Sequence, residues 1–351
     1  MFLRFKWMPH GMLAVAVVAG VLGAVAIFRP APPPQPIAPA PQPITLTFAG
    51  DVMLAGAVGK LAETHGTPWL FAGVQSVFAE DDLTMVNLEC AVSTRGQAEE
   101  KQYTFRAAPS VLPGLKQSGV EAVTLANNHA MDFGRQALSD TFTNLRNADI
   151  TYVGAGANAD EAYQPALLMV KGQRVALFGG SRVLPDTRWY AGTQHAGLAA
   201  VYDPTRLLAE IRAVRAQADL VVVYLHWGIE RAAWPEAYQR TLARQCIDAG
   251  ADLIIGSHPH VLQGFEYYQG KLIAYSLGNF VFNNRSGHTM LVQATFTGNT
   301  LQAAKMIPCV YDHYRPIVAE QSAARQRIFS QIQAHSYAVT IGEDGALHER
   351  Q

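Results

Sequence analysis

Cysteine is scarce in this 351-residue chain: only Cys90, Cys246 and Cys309 occur. Their spacing forms neither a disulfide framework nor a metal ribbon, and at most one pair can be bridged. None falls in the N-terminal region, so a lipid anchor on a cysteine is not expected. An excess of one charge is also missing, with 27 Lys and Arg against 28 Asp and Glu. That balance gives no support to a nucleic-acid groove or a strongly acidic partner. No internal repeat is visible. What the chain has in quantity is apolar side chains, 49 % of the total. They suffice for a large core, in one large domain or two small ones.

The N-terminus carries Arg4 and Lys6 and then an uncharged run from Gly11 to Phe28. Its length lies at the lower edge of the about 17–25 residues that span a bilayer. Basic residues before the run favour insertion with the N-terminus inside. The rival reading is a cleaved signal peptide, but the run ends in Ile27-Phe28-Arg29 without a small-x-small cleavage site. Residues 1–29 are therefore expected to form an uncleaved transmembrane anchor. Residues 30–43 hold eight prolines, a semi-rigid spacer of about 3.1 Å per residue, some 40 Å in all. The expected folded domain, 44–351, then stands on the extracytoplasmic (periplasmic or extracellular) side of a cell membrane that the chain crosses once.

From Ile44 short apolar runs alternate with helical stretches. The runs are ITLTFAG (44–50), LTMVNL (83–88), AVTLA (122–126), ITYVGAG (150–156), RVALFGG (174–180), LVVVYL (220–225), DLIIG (252–256) and KLIAYSLG (271–278). Helices are predicted from Asp203 as cap with Pro204 at the first position, and from Pro235 to Gly250. This alternation predicts an α/β fold with a buried, largely parallel sheet. After 271 the pattern changes to two strands joined at Gly298-Asn299, then one amphipathic helix.

The residues after the runs carry the chemistry. ITLTFAG is followed by Asp51, LTMVNL by Glu89, AVTLA by Asn127-Asn128-His129, LVVVYL by His226, and DLIIG by Ser257-His258-Pro259-His260. Ligands collect at the carboxyl ends of strands in open α/β sheets. One Asp at a strand end is a turn former, and one His is ordinary packing. Five such ends together would bury uncompensated carboxylates unless a cation sits among them, at several kcal/mol per ion. Two carboxylates, an amide oxygen and imidazoles suit Mn, Fe or Zn. Their number exceeds one tetrahedral shell and fits two ions bridged by a carboxylate. Cys90 adjoins Glu89, but strand alternation turns it away, into the core.

The blocks GDVML, NLE, ANNHAMDFG, HWGIE, GSHPHVLQG and SLGNFVF, in this order over about residues 44–311, resemble the capsule synthesis protein CapA family, also called poly-γ-glutamate biosynthesis proteins. That family is similar to calcineurin-like metallophosphoesterases. The resemblance implies a four-layer αββα sandwich. It implies one ion on Asp51, Glu89 and His260, and a second on Glu89, Asn128, His226 and His258. His129 would act as general acid or oxyanion stabiliser. The sequence departs from the phosphoesterase pattern at Met53, where a His is usual, at Asn127 in place of Gly, at Glu89 in place of a bridging Asp, and at Ala130 in place of an acid. Asp132 is expected to replace that acid and orient His129. Glu230 is a candidate to orient a metal histidine, Asn279 to fix a loop beside the site, and Arg106 to bind a substrate carboxylate or phosphate.

The implied function is in poly-γ-glutamate capsule or envelope polymer biosynthesis, as a metal-dependent hydrolase or transferase on a phosphoester or γ-glutamyl amide. The partners are the membrane, the anionic polymer and other capsule synthesis subunits. The alternative is a non-catalytic export or scaffold subunit with a vestigial metal site.

Overall fold

The computed structural model describes residues 41–350. The expected anchor and the spacer up to residue 40 lie outside the described residues. Among the described residues no helix is long and apolar enough to cross a membrane.

The chain lays down two sheets in three passes. Strands β1 (Ile44–Val52), β2 (Leu83–Leu88), β3 (Ala122–Thr124) and β4 (Thr151–Val153) run parallel in one sheet. The next six make the second sheet: β5 (Ala166–Val170), β6 (Gln173–Ser181), β7 (Leu220–His226), β8 (Leu253–Ser257), β9 (Phe265–Tyr268) and β10 (Lys271–Ala274). Its order is β9-β10-β8-β7-β6-β5. The chain then returns to the first sheet with β11 (Asn279–Val281), β12 (His288–Thr297), β13 (Thr300–Asp312) and β14 (Arg315–Val318). There the order is β14-β13-β12-β1-β2-β3-β4, with β11 paired to β1. The β12–β13 hairpin turns where the sequence predicts it, at Gly298-Asn299.

Strand alternation sorts the apolar side chains into layers. Leu220, Val222 and Tyr224 join Ile44, Leu46 and Phe48 in a core between the sheets. Val221, Val223 and Leu225 face the other way, onto α4 (Thr205–Val214) and α5 (Ala237–Ala249), through Leu207, Ile211, Leu242 and Cys246. Val52, Val86, Leu88 and Val123 pack on the opposite outer face against α1 (Gly56–His65), α2 (Val111–Gln117) and α3 (Gly134–Asn147). Each fully buried Val, Leu or Ile contributes about 1.5–3 kcal/mol, so these three apolar layers hold an α/β sandwich together. Tyr224 ties the sheets across the middle: its hydroxyl donates to the Ala49 carbonyl at 2.7 Å.

Local differences from the sequence reading are small. Pro204 occupies the cap position of α4, while Asp203 accepts from the Thr205 N–H at 3.0 Å. The helix expected from Pro235 starts at Ala237, with Glu236 capping α5 through a reciprocal box with Gln239. The amphipathic C-terminal segment forms α6 (Ser322–Ala334), which sends Ile328, Phe329 and Ile332 into the inter-sheet core. All three cysteines are free and buried, and Cys90 lies in the helix-facing core.

Candidate metal centre

Two glycines bring the strand ends into register. Gly50 precedes Asp51, and a Cβ there would lie 1.8 Å from the Gly278 carbonyl oxygen. Its absence lets β1 close on the segment leading into β11, so Asp51 pairs with Asn279. Gly256 does the same at the end of β8, where a Cβ would meet the Tyr275 carbonyl at 2.1 Å. Beyond it His258 and His260 both adopt the left-handed region, φ +97° and +59°, as does Arg231 at +64°. Such residues cost about 1–3 kcal/mol each and persist where surrounding contacts dictate them. Here the Arg231 N–H bonds the Pro259 carbonyl at 2.8 Å.

These constraints make the sheet ends converge. Asp51 and Glu89 are fully buried. Asp51 Oδ2 lies 3.2 Å from His260 Nδ1. Glu89 Oε1 lies 3.9 Å from both His226 Nε2 and His260 Nε2, a central position between two imidazoles. Candidate ligand atoms of Asp51, Glu89 and His226 all fall within 4.8 Å of one another. His226 Nε2 is 2.8 Å from Asn128 Oδ1. The His258 ring sits against His226, centroids 4.7 Å apart, and 5.7 Å from His260. Pro259 thus separates two imidazoles that face different neighbours.

The electrostatics follow from burial and crowding. Burial would raise the Asp51 carboxyl, but His260 and the Asn87 amide outweigh it and hold the group below its usual range. Burial and then the Asp51 charge push Glu89 well above its usual range. Burial opposes a charge on His260, yet Glu89 and Asp51 push it up to about 10. Burial, then the His260 charge, pushes His258 down to about 4. Burial also holds His226 well down.

A divalent ion fits this set on two observations. Among the described residues, five buried side-chain atoms lack a hydrogen-bond partner, and Asp51 Oδ2, Glu89 Oε1 and His258 Nδ1 are three of them. Such orphans cost about 1–3 kcal/mol each, more when charged. Burial and the adjacent Asp51 charge also disfavour the charged form of Glu89, and a dication between the two carboxylates would relieve that crowding.

The supporting residues are partly those expected. Asp132 Oδ2 is 2.6 Å from His129 Nδ1, in the orienting position expected for it. Burial lowers the His129 pKa despite that carboxylate. Asn279 accepts from His260 Nδ1 at 2.7 Å. Glu230 lies exposed, and among the described residues its carboxylate has no hydrogen bond or ion pair with His226, His258 or His260. Ser257 takes the orienting place instead, its Oγ 3.0 Å from His226 Nδ1. Arg106 donates to the Arg95 and Gly96 carbonyls and stacks on Phe133, 4.1 Å from the ring centroid. Met53 is buried in the helix-facing apolar core, its sulfur 3.2 Å from the Ala55 nitrogen.

Three contributors escape the sequence reading. Asn87 donates to Asp51 Oδ1 at 2.8 Å and is itself held by the Asn127 amide at 2.9 Å. Its signal was present: it precedes Glu89 by two residues, and alternation puts both on one face. Ser257 lies inside the His-x-His block. Lys101 comes from an irregular loop with no pattern.

Two facing sheets whose strand ends pool carboxylates, an amide and imidazoles around orphaned polar atoms define an α/β sandwich with a candidate metal centre. The chain belongs to the bacterial capsule synthesis protein PGA_cap family, whose model matches residues 45–284. It is 32 % identical to the capsule biosynthesis protein CapA of Bacillus anthracis, covering 82 % of this chain and 72 % of that one. It is 30 % identical to the PGA biosynthesis protein CapA of Bacillus subtilis (strain 168), over 97 % and 91 %. Among solved structures, a hypothetical protein from Thermus thermophilus is similar at TM-score 0.49 and 18 % identity, over 77 % of this chain and 100 % of that one.

Proposed function

We propose that this chain is a CapA-like protein of poly-γ-glutamate capsule or envelope polymer synthesis, acting as a metal-dependent hydrolase or transferase of the metallophosphoesterase type. The observation that carries the reading is the set of orphaned atoms on Asp51, Glu89 and His258. They are buried polar atoms without a hydrogen bond among the described residues, and the nearest cationic group, His260 Nδ1, lies 3.2 Å from Asp51 Oδ2. Asp51, Glu89 and His260 would hold one ion, and Glu89, Asn128, His226 and His258 a second, with Mn, Fe or Zn suited to the mixed oxygen and nitrogen donors. When bound, such ions polarise a phosphoryl or acyl oxygen and make water a stronger nucleophile.

The chain's own residues do the rest. Asn87 holds Asp51 in place. Ser257 and Asn279 fix the rings of His226 and His260. His129, with Nδ1 on Asp132, keeps Nε2 free to hold or pass a proton at the leaving group. The Phe105 ring packs against that imidazole, centroids 4.3 Å apart and planes tilted by 33°. In this proposal residues 1–29 anchor the chain, and the domain works on the extracytoplasmic face among other capsule synthesis subunits.

A second reading is favoured by Met53. Its place in the apolar core leaves the first ion three ligands, as in a scaffold that grips polymer carboxylates. One experiment separates them. Metal content and turnover of γ-glutamyl oligomers and phosphodiesters are measured for the Mn- or Zn-loaded chain and for His129→Ala. Turnover lost in His129→Ala with metal retained supports the enzyme. Equal inactivity of both, with metal bound, supports the scaffold. Membrane fractionation of the full chain against one lacking residues 1–43 tests the anchor.

A further inference from the structure

Lys101 occupies a position that the function above does not use. Its side chain is largely covered, and its Nζ donates to Asp132 Oδ1 at 2.7 Å. The same ammonium donates to the Asn128 backbone carbonyl at 2.5 Å, lies 3.3 Å from His129 Nδ1, and sits over the Trp189 ring, 5.2 Å from its centroid. Asp132 is fully buried. Its other oxygen, Oδ2, accepts from the Phe105 backbone N–H at 2.6 Å and faces His129 Nδ1 at the same distance. Lys101 thus claims one carboxylate oxygen and leaves the other to the imidazole. The loop carrying Lys101 is pinned from the same side, because the Glu99 N–H donates to the Asp132 carbonyl at 2.8 Å.

We propose that Lys101 is a positioning residue: it fixes the Asp132 carboxylate so that His129 carries its proton on Nδ1 and presents Nε2 bare, and it tethers the neighbouring Asn128. A lysine suits the task because its compact ammonium offers three donors at one point. Here two go to the carboxylate and the carbonyl. Without the ammonium, Asp132 Oδ1 would lose its charged donor, and only the Phe105 N–H would hold the carboxylate against the imidazole. The inference rests on His129 being the group that meets the substrate, but its test does not require turnover.

The test uses the full chain, Zn-loaded and labelled with 15N in histidine and lysine, with His129 assigned by His129→Gln. In the wild type the His129 ring is expected as a single tautomer protonated at Nδ1. The Lys101 ammonium is expected to give a slowly exchanging signal that shifts in Asp132→Asn. In Lys101→Met, held at saturating zinc, the single-tautomer pattern is lost, and Lys101→Arg restores it at least in part. An unchanged His129 pattern in Lys101→Met overturns the proposal. So does a wild-type Lys101 ammonium indifferent to Asp132→Asn, and this second readout holds even if the methionine variant fails to fold. A tautomer change in a chain that hydrolyses nothing would leave the positioning role standing and remove the enzymatic reading.

Discussion

Glu89 and Glu266 are both buried glutamates at the end of a strand or on one, and they have opposite surroundings. Glu266 lies on β9, with Oε1 accepting from Arg244 Nε at 2.8 Å. Its Oε2 accepts from Arg240 Nε at 3.2 Å and from the Tyr275 hydroxyl at 2.7 Å. Both its oxygens are satisfied by the protein. Glu89 has Asp51 as a neighbour, no Arg or Lys ion pair among the described residues, and an oxygen with no partner. Burial of a carboxylate therefore says little by itself. What marks Glu89 as a candidate ligand is the lack of an Arg or Lys partner together with an oxygen left without a hydrogen bond.

Substitutions at the two positions should separate. Glu89→Gln is expected to weaken Mn or Zn binding by more than about 100-fold without lowering the melting temperature of the metal-free chain. Equilibrium dialysis and calorimetry read the two effects, and a metal-free chain that melts much lower would break the contrast. Glu266→Gln should instead cost about 1–3 kcal/mol of stability with or without metal, since Arg240 and Arg244 lose their acceptor while staying partly solvated. Chemical denaturation checks it.

Protons sharpen the same contrast. His260, pushed up to about 10, holds a proton at neutral pH, and Glu89, raised, competes for another. Metal binding must release the His260 proton, so affinity tightens as pH rises from about 6 to about 8, by about tenfold per unit for each proton released. Titration in buffers of different ionisation enthalpy counts those protons, and a pH-independent affinity would contradict the assignment. A smaller effect is expected at Asn279→Ala, which strips His260 Nδ1 of its 2.7 Å partner, about tenfold in metal affinity. Glu230→Gln, exposed and outside the cluster, should change affinity by no more than about twofold.

Most of the fold was legible because apolar periodicity reports burial directly. The eight runs, the hairpin at Gly298-Asn299 and the last helix all appear. Division into two sheets was not legible in the periodicity, because a buried strand shows the same pattern in either sheet; it was implied only by the family resemblance. At the site, residues whose chemistry is unusual at a strand end were easy to single out: Asp51, Glu89, His226, His258 and His260. Residues acting through ordinary hydrogen bonds, such as Lys101 and Ser257, carry no mark until a partner is seen. Glu230 shows the reverse: its closeness to His226 in the chain suggests support for a metal histidine, and the loop turns it to solvent.

The sequence alone determined which side chains stand at the strand ends, since that follows from where apolar runs stop and polar groups begin. Tertiary structure alone decided which of them meet. Gly50 and Gly256 permit two backbone approaches that side chains would forbid, and these close β1 on β11 and β8 on the segment after β10. Glu89 then lands between His226 and His260, though 137 and 171 residues separate it from them in the chain. Distance along the sequence carries no information about such a meeting; only packing of one sheet on the other supplies it.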